Sequence, residues 1–100
     1  MKTIIKNLYD AVTKAHHAAS DAMGTQYKLV NAMGAPKTAD EAAANARIKF
    51  DAYALVSAEF AKLYAAENAL HKALGFEGAD FTIVTPVDID NAYAASQQGE

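Results

Sequence analysis

Residues 38–74, TADEAAANARIKFDAYALVSAEFAKLYAAENALHKAL, contain neither glycine nor proline and are followed at once by Gly75. The run opens as a capping box: the Thr38 hydroxyl is placed to accept the Glu41 amide while the Glu41 carboxylate reaches back to the Thr38 amide. It closes on Gly75, suited to a left-handed C′ residue, with His71 and Lys72 beside the last carbonyls. The stretch therefore predicts one long helix with both ends specified.

Outward from its start, Gly34-Ala35-Pro36-Lys37 predicts a tight turn, with Gly34 in the left-handed position and Pro36 unable to continue a helix. Before it, Ile5, Leu8, Val12, Ala15, Ala19, Ala22, Leu29 and Met33 recur at steps of three and four, broken by a longer step across Gln26. That spacing is an amphipathic helix over about 3–33 with a heptad-like seam. Gly24-Thr25 interrupts it, and a helix-interior glycine costs about 1 kcal/mol relative to alanine, which predicts a kink at Gly24. The expected fold is all-α, an antiparallel helical hairpin.

With the turn centred near Pro36, facing residues have numbers adding to roughly 72. Val12 then falls near Phe60, Ala15 near Ser57, Ala19 near Tyr53 and Ala22 or Met23 near Phe50, so that small residues on helix one meet aromatics on helix two. Phe50, Tyr53, Ser57, Phe60 and Tyr64 are the expected seam. A second stripe through Ile48, Ala52, Leu55, Val56, Leu63, Ala66, Leu70 and Ala73 lies on another face, leaving a narrow polar strip around Arg47, Asp51, Lys62 and Lys72. A helix apolar over most of its circumference needs a further neighbour. We expect an interface between chains at Leu55, Val56, Leu63 and Leu70 with Ala52 and Ala66, joined by Phe81 and Ile83 from the C-terminal arm.

Outward from its end, Phe81-Thr82-Ile83-Val84 reads as a short extended segment. Thr85-Pro86 with Asp88 reads as a further helix start, giving a short helix at about 86–95. Residues 95–100 should fray. The chain divides into a hairpin, 1–75, and an acidic arm, 76–100, of the same single domain. After Gly75 come Glu77, Asp80, Asp88, Asp90 and Glu100 and no basic residue, whereas the first helix carries Lys2, Lys6, Lys14 and Lys28 against Asp10 and Asp21.

A chain of 100 residues with net charge −3 and no cysteine must be stabilised by packing alone, within the chain or between copies. Neither a signal-type run nor the roughly 18 apolar residues of a membrane span is present, so the reading is a cytoplasmic protein without membrane partners. The acidic balance and the wide spacing of the lysines disfavour nucleic acid. His17 with Asp21 and His71 with Glu67 are each one helical turn apart, as metal pairs are, but the register above separates the two pairs, so no metal site is expected. Asp88-Ile89-Asp90-Asn91 lacks the glycine and glutamate of a calcium loop, having Tyr93 and Gly99 there. No phosphate-binding loop or Ser/His/acid arrangement is evident, so no catalytic residue, cofactor or small-molecule substrate is assigned.

The Trp-x-Gly turn of WXG-type hairpin proteins is absent, since the chain has no tryptophan and turns at Gly34-Ala35-Pro36, and no family is assigned. The expected function is a non-catalytic one through protein–protein contact, as a self-assembling homo-oligomeric component. By analogy of style alone, small alanine-rich helical chains with acidic arms also occur in phage virions and similar assemblies. The alternatives are a monomeric inhibitor or adaptor binding a host protein through helix two or the arm, and, third, weak metal binding.

Overall fold

The computed structural model describes residues 1–98. They form three helices, α1 Lys2–Ala32, α2 Ala39–Ala73 and α3 Pro86–Gln97, with no strand among the described residues. The radius of gyration is 19.0 Å, against about 13 Å for a compact domain of this length. Extents of 66 × 25 × 17 Å explain the difference: α1 and α2 lie side by side in a single layer, with α3 on α1.

The ends of α2 follow from local chemistry. Thr38 is extended, and its hydroxyl accepts the Glu41 amide at 3.1 Å. The Glu41 carboxylate reaches one residue further back than expected and accepts the Lys37 amide at 2.7 Å. At the far end Gly75 has φ 89, the Phe76 amide donates to the His71 carbonyl and the Gly75 amide to the Lys72 carbonyl. This is a Schellman closure, and it needs the left-handed residue that only glycine adopts without strain.

Helix α1 is continuous through Gly24, where one missing side chain on the exposed surface is too small a deficit to break a 31-residue helix. Its end differs from expectation. Met33, not a left-handed Gly34, leaves the helix in an extended conformation, and the chain turns through residues 33–38 without a positive φ.

The register also differs. The covered line along α1 runs through Ile5, Leu8, Val12, Ala15, Ala19, Ala22, Gln26 and Val30 to Met33 just past its end, with Tyr9 and Ala18 partly covered beside it, so Gln26 does not interrupt the seam but occupies it, and Val30 replaces the exposed Leu29. On α2 the covered line runs through Asn45, Ala52, Val56, Glu59, Leu63, Ala66, Leu70 and Ala73. Its steps of three and four close only when Lys49 is included. Met33 and Val30 share a groove with Asn45 and Lys49, and Tyr9 and Val12 share one with Glu67 and Leu70. Matching the ladders between these ends sets Ala22 against Val56 and Ala15 against Leu63. Because the connection folds back along the first turns of α2, this displaces the helices by roughly 9 Å from the register expected of a turn centred on Pro36.

Phe50, Tyr53 and Tyr64, expected in the seam, are exposed, and Phe60 is half-covered. Conversely Leu63 and Leu70, expected at an interface between chains, are buried inside the hairpin with Ala52, Val56 and Ala66 partly covered beside them. Leu55, Phe81 and Ile83 of that set stay exposed. The seam takes the small and aliphatic side chains because opposing alanines let the backbones approach, and large rings are displaced to the flank.

The run Phe81-Thr82-Ile83-Val84 is not extended. The Asp80 carboxylate accepts both the Thr82 amide at 2.9 Å and its hydroxyl at 2.6 Å, and the Ile83 and Val84 amides donate to the Asp80 carbonyl. A side-chain cap thus winds the segment into a helical turn, overriding β-propensity that no neighbouring strand supports. At α3 the Asp88 carboxylate accepts the Thr85 amide at 2.8 Å, with Pro86 in the first turn. Tyr93 stacks on Tyr9 with ring centroids 3.9 Å apart, and the Gln97 amide donates to the Lys2 carbonyl at 3.0 Å. These contacts run α3 antiparallel along the first half of α1, where Ile89 is buried. Helical order therefore extends two residues beyond 95, anchored by Gln97; residues 99–100 lie outside the described residues.

Candidate interaction surface

One flank of the seam carries the functional interest. On α1 it runs Tyr9, Thr13, His16, Ser20, Met23 and Tyr27. On α2 it runs Ala46, Phe50, Tyr53, Ser57, Phe60, Tyr64, Glu67 and His71, again at steps of three and four. Tyr9, Thr13 and His16 line a single groove with Glu67 and His71, which places the two flanks on the same side of the hairpin. That side has two unlike halves.

The half nearer the N-terminus is occupied. There α3 and the preceding turn close over α1 and the end of α2, leaving a groove of about 750 Å³ lined by Tyr9, Val12, Leu70, Phe81, Val84 and Ile89 together with His16, His17, Glu67, His71 and Asp90. Phe81 sits against the His71 ring with centroids 4.9 Å apart. The two histidine–carboxylate pairs are thus partly reunited: the register places His17 beside the groove that holds His71 and Glu67, contrary to the expected separation, while Asp21 stays outside it. Among the described residues no three His, Asp or Glu side chains converge as metal ligands, because these groups line the rim of an open groove from different elements.

The half nearer the hairpin turn is bare. Ser20, Met23 and Tyr27 from α1 and Ala46, Phe50, Tyr53, Ser57, Phe60 and Tyr64 from α2 include no charged side chain. Phe50 and Tyr27 are each 68% exposed, Tyr53 65%, Tyr64 59% and Met23 49%. Phe60 and Tyr64 pack as neighbours one turn apart, centroids 6.1 Å. The opposite flank is different in kind: Leu55 and Ile48 are interspersed there with Lys62 and Asp51, and Lys62 pairs with Glu59 at 3.3 Å. The α2 half of the bare strip was visible as an aromatic stripe in the sequence. On α1, Met23 is expected only as an alternative to Ala22 opposite Phe50 in the seam, whereas Met23 and Tyr27 both continue the three-four ladder from Tyr9 along the flank.

No protein-family model matches this chain, and no curated protein or solved structure matches it either.

Proposed function

We propose that the protein is a non-catalytic component that works through protein–protein contact, by assembling with copies of itself. The observation that supports this is the bare strip: five large apolar side chains about half to two-thirds exposed on one uncharged face. Single exposed apolar residues are ordinary on a protein surface, but a contiguous patch of this size marks a binding surface. A scarce interior points the same way. The buried apolar residues of the described chain are Ile5, Ala19, Ala22, Leu63, Leu70 and Ile89, a small core for three helices, and association would add a second. Sedimentation equilibrium at micromolar concentrations tests the proposal. A stable oligomer is expected; a monomer at every concentration would refute self-assembly and favour an inhibitor or adaptor that places the strip on a different protein.

A further inference from the structure

Resting on that reading, the geometry points to a two-fold dimer in which the bare strip of one copy packs on the same strip of another, with α3 acting as the stop that fixes the overlap. The occupant follows from three features of the strip.

The first is area. With about 200 Å² for a fully exposed aromatic residue, Tyr27, Phe50, Tyr53 and Tyr64 at their observed exposures, plus Met23, offer roughly 600 Å². Two copies then bury roughly 1,200 Å², the lower bound of stable specific interfaces. The second is charge. A face without a charged side chain brings no like-charge repulsion when it meets itself, whereas a partner recognised by charge would find nothing to pair with.

The third is shape. Helix α3 and the turn before it stand on the same side as the strip and reach along α1 as far as His16 and His17. Two copies stacked with α3 at the same end would collide there. A two-fold axis perpendicular to the helices avoids the collision, since each copy's α3 then lies beyond the turn of the other. Only the turn-proximal halves overlap, over roughly 25 Å of helix. Such a dimer is an antiparallel four-helix bundle at its centre, closed rather than open-ended because the contact is isologous. In this arrangement α2 crosses α2 near the middle of the strip, and the two copies of Ser57 approach one another.

The test uses the full chain, which has no cysteine of its own. Ser57→Cys should form an intermolecular disulfide under mild oxidation, whereas Leu55→Cys, on the opposite flank of α2 and level with it, should not. Tyr53→Glu should raise the dimer dissociation constant by about tenfold or more, with helicity by circular dichroism retained because Tyr53 is exposed. Leu55→Glu, on the other flank, should leave it unchanged. Dissociation by Leu55→Glu with Tyr53→Glu still dimeric would overturn this face while leaving self-assembly standing. Cross-linking of Leu55→Cys but not of Ser57→Cys would do the same. A wild type that is monomeric throughout would remove both.

Discussion

Replacing Leu63 with alanine separates the observed seam from the one that aromatic spacing suggests. Leu63 is 4% exposed, on α2 where the ladder meets Ala15 and Ala19. Truncation removes nearly all of a transfer contribution of about 2 kcal/mol and leaves a cavity. A single layer of helices can collapse part of that cavity, which places the expected loss at about 3 kcal/mol, in the lower half of the usual range for Leu→Ala. With a urea slope of roughly 1.5 kcal/mol per molar, the unfolding midpoint followed by helical circular dichroism should fall by about 2 M. Tyr53→Ala is the matched control. An exposed flank residue should cost the monomer about 0.5 kcal/mol or less. Both should be measured at the lowest usable protein concentration, where association contributes least. If Tyr53→Ala lowered the midpoint more than Leu63→Ala there, with no dependence on concentration, the aromatics would be in the seam and the register described above would be wrong.

Ala19, 1% exposed, has no room for a longer side chain: Ala19→Leu should cost on the order of 1–3 kcal/mol by overpacking, while Ala58→Leu on the exposed side of α2 should leave the melting temperature within error. Tyr93→Ala removes the stack on Tyr9 and should loosen α3 by roughly 2 kcal/mol; hydrogen exchange should quicken at the α3 amides and leave α2 unchanged, and uniform quickening would refute a separately anchored α3. Hydrogen bonds from the Thr82 hydroxyl and then the Thr82 amide hold the Asp80 carboxyl below its ordinary value of 3.8. A depressed folded pKa means that Asp80 stabilises the turn above the unfolded value and that this contribution is lost as pH falls through the folded one. The Thr82 amide resonance should therefore titrate with a midpoint below 3.8, and a midpoint at or above it would refute the cap.

What the sequence made legible was whatever is decided within a few residues of chain. Thr38 with Glu41, Gly75 after Lys72, and Thr85-Pro86 with Asp88 each specify a helix end by their own hydrogen bonds, so both ends of α2 and the start of α3 follow from local patterns alone, whereas α1 rests on its three-four spacing. The turn at Asp80 was equally local, but its signal is a carboxylate two residues before Thr82, and the β-branched run after it reads more strongly. The register was harder. It depends on how residues 33–38 fold back on α2, and alanines on every side of α2 give no preference for one face.

The candidate surface was half legible for a related reason. A seam in a single layer of two helices is shielded by one neighbour only, so long polar residues can lie along it and keep their ends in water. Gln26, Lys49 and Glu59 do this, and their polarity disguises the seam's three-four repeat. The aromatics of α2 form the more conspicuous stripe for the opposite reason: they crowd the flank that neither α1 nor α3 covers. Bulk on an uncharged flank contributes little to a lone hairpin, whereas a second layer requires it. Composition shows that α2 carries more apolar surface than one neighbour can cover, but spacing alone turns the aromatic stripe inward and the Leu63–Leu70 stripe outward, the reverse of what the structure has. Once Leu63 and Leu70 are accounted for inside the hairpin, the surface left for a partner is the one built from Tyr27, Phe50, Tyr53 and Tyr64.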